Sequence, residues 1–413
     1  ICAFLLFSGM GGYAEASIVN TKANDYLVTK WTTEQGLPQN SVTSIVQTKD
    51  GYIWVGTFGG LARFDGVRFV TFDAVNTPIF NSSRIISLHE DPLGRLWIGA
   101  ENGDIYYLDN GEFGVFSLGN SKRGNVWGIV ADSDRAIYFS SDIGLERFLI
   151  GKDGTPDPNS RLLLSGERNF GLFKHPDGTI WTRSQGIIFQ VVEDGVLHHS
   201  ERYPSLGNNV VKINFDSAGR MIVAEPDMLS ICSSERCDKV FPMIEDRQGV
   251  GFSLASRSET AFLQQANELI EVSGNVAKRF DLSGVMRGGS RSMMFDADGN
   301  LWIGSQEDGL VRLTRRSVGL FSDLLGNEID NVYSVFGEPN GTVWVGARRL
   351  YRIIGGNVTT FSKTARGPFP VVRSIGTDCQ QNLWVGGTVG LYRMKEGLLD
   401  PIPGFEQEPL HAI

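Results

Sequence analysis

Five histidines, His89, His175, His198, His199 and His411, are the first place to look for acid–base or metal chemistry in this chain. None stands at a metal-ligand spacing from another ligand, and no H-E-x-x-H pair occurs. His198 and His199 are adjacent, and neighbours on a strand point to opposite faces, so the two read as a solvated loop pair and not as ligands of one metal. There is no G-x-S-x-G elbow, phosphate-binding glycine loop or dinucleotide fingerprint. Asp50, Asp177 and Asp298 recur beside a glycine, as carboxylates for general acid–base work could. Each falls in the same short turn of a separate segment, which assigns them to turn geometry. Arg63, Arg147, Arg312, Arg352 and Arg393 recur at one strand position per segment, a pattern expected for pairing with backbone or turn carboxylates. No catalytic residue, metal ligand or cofactor is assigned.

Cysteine chemistry points to an oxidising compartment. Cys232 and Cys237 flank a short polar loop and are expected to form a hairpin disulfide, while Cys379 has no evident partner. Cys2 lies in the apolar run Ile1–Phe7, which is followed by Ala14-Glu15-Ala16, a small-x-small cleavage pattern. Residues 1–16 are therefore expected to be a secretory signal peptide lacking its basic start, since seven apolar residues are too few to span a bilayer. No later run approaches the length of a membrane helix. The 38 Lys and Arg against 47 Asp and Glu leave a net charge of −9 with no basic stripe, which excludes nucleic acid and an anionic membrane surface as partners. Glycine is the outlier: 50 in 413 residues, against a usual share of about 7%.

An internal repeat accounts for much of that glycine. The segments Tyr52-Ile53-Trp54-Val55-Gly56, Arg95-Leu96-Trp97-Ile98-Gly99 and Asn300-Leu301-Trp302-Ile303-Gly304 align with Thr342-Val343-Trp344-Val345-Gly346 and Asn382-Leu383-Trp384-Val385-Gly386. Trp181 marks a looser copy, and Tyr138, Ile222 and Phe262 fill three further copies on spacing alone. Successive intervals run 43, 41, 43, 41, 40, 40, 42 and 40 residues, and six of the eight tryptophans lie on this register. Each unit reads as four short strands, with Lys49-Asp50-Gly51-like hairpin turns and no helical period. Four strands per unit of about 40 residues is the pattern of a β-propeller blade, so the fold class is all-β. The tryptophans Trp54, Trp97, Trp181, Trp302, Trp344 and Trp384 are expected to fill the space between blades.

Nine copies exceed the usual four to eight blades of one ring. Gly36 precedes Trp54 by eighteen residues and Gly326 precedes Trp344 by the same interval, which suggests two ring starts. On that reading residues 17–324 form a seven-bladed propeller, with strand Tyr26–Trp31 closing it onto the seventh blade, and residues 325–413 begin a second, incomplete one. An eight-bladed first ring is the alternative.

The stretch Trp31–Phe69, with Gly36-Leu37-Pro38-Gln39-Asn40-Ser41-Val42, Asp50-Gly51-Tyr52-Ile53-Trp54-Val55-Gly56-Thr57 and Leu61-Ala62-Arg63-Phe64-Asp65-Gly66, resembles the two-component regulator propeller repeats of bacterial sensor proteins. That resemblance implies two seven-bladed propellers outside the cytoplasmic membrane, then an immunoglobulin-like domain, one membrane helix and a cytoplasmic histidine kinase or diguanylate cyclase. It also implies a periplasmic location, a homodimer in the full-length sensor, and membrane attachment only through a helix beyond this chain. A free periplasmic glycan lyase or sialidase-like hydrolase and a plain interaction scaffold are the rival functions.

Ligand binding in a propeller centres on the funnel enclosed by the innermost strands. Asn40, Asn125, Asn209 and Asn331 recur just before those strands, and Trp127, Tyr333 and Arg373 share one inner-strand register. These seven are the candidate ligand-binding residues, although Asn also caps turns and Trp127 also suits blade packing. Aromatic and amide groups there would suit a small molecule or an oligosaccharide, and the family resemblance implies a glycan.

Overall fold

The computed structural model describes residues 17–21, 25–116, 124–132, 136–151, 155–166, 171–184, 187–192, 197–199, 210–225, 228–233, 237–242, 252–274, 276–316, 331–354, 357–405 and 409–410. The expected signal peptide, 1–16, and the expected boundary at 324–325 lie outside them. The chain divides into two compact units, 1–316 and 317–413. No helix among the described residues is long and apolar enough to cross a membrane.

The protein is an all-β propeller built from four-stranded antiparallel meanders. In the first unit these are sheet 1 (42–72), sheet 2 (85–115), sheet 3 (126–165), sheet 4 (172–199), sheet 5 (212–242), sheet 6 (252–281) and sheet 7 (290–315). Their first strands touch in succession, and that of sheet 7 touches that of sheet 1. The second unit holds sheet 8 (334–361) and sheet 9 (372–401). The three copies supported by spacing alone are real sheets: Tyr138, Ile222 and Phe262 sit on the second strands Ala136–Ser141, Met221–Ala224 and Thr260–Gln265. Strand Leu197–His199 carries His198 and His199, so the pair lies on a strand and not in a loop.

Closure uses the amino-terminal segment twice. Tyr26–Trp31 pairs antiparallel with Leu310–Arg315 and supplies the fourth strand of sheet 7. Ser17–Thr21 pairs parallel with Val276–Asp281 as a fifth strand of sheet 6, an addition the repeat pattern gives no sign of. Trp31 stacks on Trp302 with ring centroids 5.4 Å apart. Both sheet edges are thereby covered by a strand from the far end of the unit, which removes an open hydrogen-bonding edge.

The repeated indole lies where one sheet packs on the next. Trp54 packs with Ile85, Leu96 and Ile98 of sheet 2, Trp97 with Val126, Ile137 and Phe139 of sheet 3, and Trp302 with Val42 and Val55 of sheet 1. Trp181 and Trp97 are essentially inaccessible, whereas Trp384, in the last sheet, is only half-buried. The cross-strand partner of Trp54 is Arg63 and that of Trp302 is Arg312, and each guanidinium lies over its indole, at 5.9 and 5.6 Å. Arg352 and Arg393 repeat this over Trp344 and Trp384. The recurring arginines therefore find the ring face more than the carboxylates expected from sequence, because the antiparallel register sets them directly opposite it.

The indole N–H is also anchored. A carboxylate six residues earlier accepts it: Asp91 from Trp97 at 2.9 Å, Asp296 from Trp302 at 2.7 Å, Glu338 from Trp344 at 2.6 Å and Asp378 from Trp384 at 2.9 Å. The three aspartates also cap the hairpin turn, accepting the backbone N–H of Arg95, Asn300 and Asn382. The Trp384 indole and Asn382 hold the Asp378 carboxyl down at about 2.

The two recurrent glycines act differently. Gly94, three residues before Trp97, has φ 88° and supplies the left-handed turn. Gly99, two after it, is a seat for the next sheet: a methyl there would overlap Ser87 Oγ and lie 2.7 Å from Val126 Cγ1. Polar ties supplement this packing. Ser44 Oγ accepts from the Leu88 N–H at 3.2 Å, and Ser87 Oγ donates to the Val126 carbonyl at 2.8 Å. His89 Nε2 accepts the Ala131 N–H at 3.0 Å, and Lys174 donates to the Ala131 carbonyl at 3.0 Å, joining sheets 2, 3 and 4. Cys232 and Cys237, paired across neighbouring strands of sheet 5, form a disulfide.

Two predictions follow from this packing. Trp54→Ala or Trp302→Ala should cost about 3–5 kcal/mol in chemical denaturation by opening a cavity between sheets, and a loss below about 1 kcal/mol would contradict the packing role. Burial, aided by the Lys174 charge, holds His89 near pKa 4 from an ordinary value of 6.5. Between these values the unfolded chain binds more protons than the folded one, so stability falls as pH drops through that window. His89→Gln should flatten the decline of melting temperature between pH 6.5 and 4.5, and an unchanged slope would remove His89 from the account.

Candidate functional site

The innermost strands of the first unit enclose a cavity of about 760 Å³, within the usual range for ligand sites. Its wall comes from six of the seven sheets: Thr43 and Phe58, Ile86 and Glu101, Asn125 and Trp127, Leu172 and Arg183, Lys212, and Arg291 and Gln306. Among the described lining residues stand three cations, one carboxylate and no histidine. Among the described residues no group of His, Cys, Asp and Glu could hold a metal ion.

Aligning the repeats explains how these side chains reach the cavity. Ten residues before the Trp position stand Ser44, Ser87 and Ser292 in sheets 1, 2 and 7, but Lys212 in sheet 5. Eleven before it stand Thr43, Ile86, Trp127 and Arg291. Two after it stand Gly56, Gly99 and Gly304, but Arg183 in sheet 4. Charge enters the cavity where the sequence departs from its own repeat.

Lys212 is half-buried in the cavity wall. Desolvation and the guanidinium groups of Arg183 and Arg291 push its ammonium down to about 8. Its Nζ donates to the Arg291 carbonyl at 2.9 Å, and Arg183 Nη1 donates to the Val210 carbonyl at 3.1 Å. Arg291 is lowered by desolvation and by Arg84. Arg84 pairs with Glu101, and its guanidinium lies 4.0 Å from the Phe58 ring centroid, with that of Arg291 at 5.4 Å from the same ring.

Of the seven residues proposed from sequence, Asn125 and Trp127 line this cavity. Asp142 fixes both, accepting from the Trp127 indole at 2.8 Å and from the Asn125 backbone N–H at 2.9 Å. Asn40 instead caps a turn, accepting the Thr33 N–H at 2.9 Å. Asn209 lies outside the described residues. Asn331, Tyr333 and Arg373 belong to the second unit, where the Arg373 guanidinium lies 4.0 Å from the Tyr333 ring centroid. Arg291 shares the inner-strand register of Trp127, Tyr333 and Arg373 and could have been found with them. Arg183 and Lys212 required reading the repeat for its exceptions.

Comparison with known proteins agrees with the fold. Residues 36–59 and 79–102 match the model of the two component regulator propeller. No curated protein matches the sequence. Among solved structures, the chain is similar to the extracellular domain of a protein assigned as a hybrid two component system of B. thetaiotaomicron, at 18% identity and TM-score 0.58, covering 91% of this chain and 54% of that one. It is also similar to the extracellular domain of a protein assigned as a one component system from the same organism, at 14% identity and TM-score 0.53, covering 92% and 54%. Virginiamycin B lyase from Staphylococcus aureus aligns at 14% identity and TM-score 0.56, covering 70% of this chain and 99% of that one. The chain thus spans about half the length of the two extracellular domains. The chain is an all-β propeller, two of whose repeats, residues 36–59 and 79–102, match the two component regulator propeller.

Proposed function

We propose that this chain is the exported, ligand-sensing propeller region of a membrane-anchored two-component sensor whose output is a histidine kinase. A diguanylate cyclase is the alternative output. The observation that carries the reading is the cavity at the centre of sheets 1 to 7, lined where the repeat is broken, within repeats of the regulator propeller type. Recurring residues hold the ring, and the residues that break the recurrence face a space of ligand size. On this reading residues 17–324 act as one seven-bladed ring, and residues 325–413 open a second propeller. The ligand is a small molecule or oligosaccharide whose binding shifts a two-state arrangement of a homodimer. The net charge of −9 suits a surface in the periplasm and speaks against nucleic acid.

The lyase-like neighbour motivates a second reading, a free enzyme that consumes its ligand. Two measurements separate them. The coding sequence beyond Ile413 is expected to carry further repeats, one apolar helix and a kinase or cyclase module; a stop codon directly after a closed ring would overturn the sensor. Incubation of the purified chain with any oligosaccharide that raises its melting temperature should return that compound intact by chromatography. Cleavage products would favour the enzyme.

A further inference from the structure

We infer that the central cavity of the first unit is a site for a small oxyanion, held by Arg183, Lys212 and Arg291, with Trp127 as the wall for any organic body that carries it. The inference names the ligand class for the sensor proposed above, and rests on that reading only for its biological use.

Charge supplies the first argument. The chain as a whole is acidic by nine charges, yet the described lining of its central cavity holds three cations and one carboxylate, and that carboxylate, Glu101, is engaged by Arg84. Position supplies the second. In other sheets the equivalents of Lys212 are Ser44, Ser87 and Ser292, those of Arg183 are Gly56, Gly99 and Gly304, and those of Arg291 are Thr43 and Ile86. Small or neutral residues suffice for the fold at all three registers. Long cations there come from sheets 4, 5 and 7 and converge on one space.

Energetics supply the third. Mutual repulsion and burial press Lys212 towards its neutral form, though a group near 8 still carries its charge at neutral pH. An oxyanion between these groups would relieve that repulsion and gain charge-assisted hydrogen bonds. The carbonyls of Val210 and Arg291 orient two of the cations in advance. Trp127, held by Asp142, presents an aromatic wall beside them, suited to a ring-bearing body.

A free inorganic oxyanion and an acidic sugar share this chemistry, so the test carries both. Titration calorimetry of the full chain would use sodium phosphate, trigalacturonate and neutral galactotriose, each at low and high salt. Binding of phosphate or trigalacturonate is expected, weakening with salt and roughly tenfold weaker in Lys212→Ser and in Arg291→Gln. Whichever of the two binds tighter identifies the source. Both variants should keep the wild-type melting temperature within a few degrees, and the two substitutions guard against either one misfolding. Galactotriose binding as tightly as trigalacturonate, anion binding untouched by both substitutions, or no binding by either anion would overturn the inference. None of these results touches the sensor reading, which stands or falls on the coding sequence beyond Ile413.

Discussion

A four-stranded sheet of this size has two faces, and neither can bury itself. The whole structure depends on each sheet being covered by the next, through a wedge in which an indole fills the gap and an aliphatic side chain from the next sheet drops onto a glycine. Trp97, Gly99 and Val126 are the clearest instance, and Trp302, Gly304 and Val42 repeat it between sheets 7 and 1. The carboxylate six residues before the indole serves both the turn and the ring, so one side chain fixes a loop and a core contact together. Arginine across the strand covers the remaining ring face.

That division of labour leaves the centre free. Residues on the innermost strands contact the next sheet through only some of their side chains, through serines such as Ser44 and Ser87 and through His89. At the register next to the serines, Thr43, Ile86, Trp127 and Arg291 line the cavity and differ from sheet to sheet. Arg183 and Lys212 stand where sheets 1, 2 and 7 carry the glycine seat and the serine tie, and with Arg291 they give the cavity a sign of charge opposite to that of the protein. A scaffold with repeated structure and an unrepeated lining can keep its fold while its ligand changes.

Much of the fold was legible in the sequence because wedge packing demands the same residue type at the same interval. The register found sheets even where Tyr138, Ile222 and Phe262 replaced tryptophan. The pairing of Tyr26–Trp31 with the last strand of sheet 7 was legible for a similar reason, since an edge must be covered. The parallel strand Ser17–Thr21 was not, because a short polar segment outside the repeat has no pattern to read. The site was less legible than the fold. Asn40 satisfied a turn, and among the described candidates Asn125 and Trp127 reached the cavity. The cations were hidden because a search for recurrence discards the positions that break it, and the anchoring carboxylates such as Asp91 were missed because attention fell on the aspartate beside the turn glycine.

The wedge itself is open to one direct measurement, a double-mutant cycle of Gly99→Ala and Val126→Ala by chemical denaturation. If Val126 occupies the seat that Gly99 leaves, the added methyl costs more stability while the valine is present, although Ser87 Oγ stays close to it in either background. The account predicts that Gly99→Ala is destabilising alone, by about 1–3 kcal/mol, and less so in the Val126→Ala background, a coupling of about 0.5 kcal/mol or more. Additive costs would mean that the glycine is kept for some reason other than the next sheet, and the packing account of the repeat would fall.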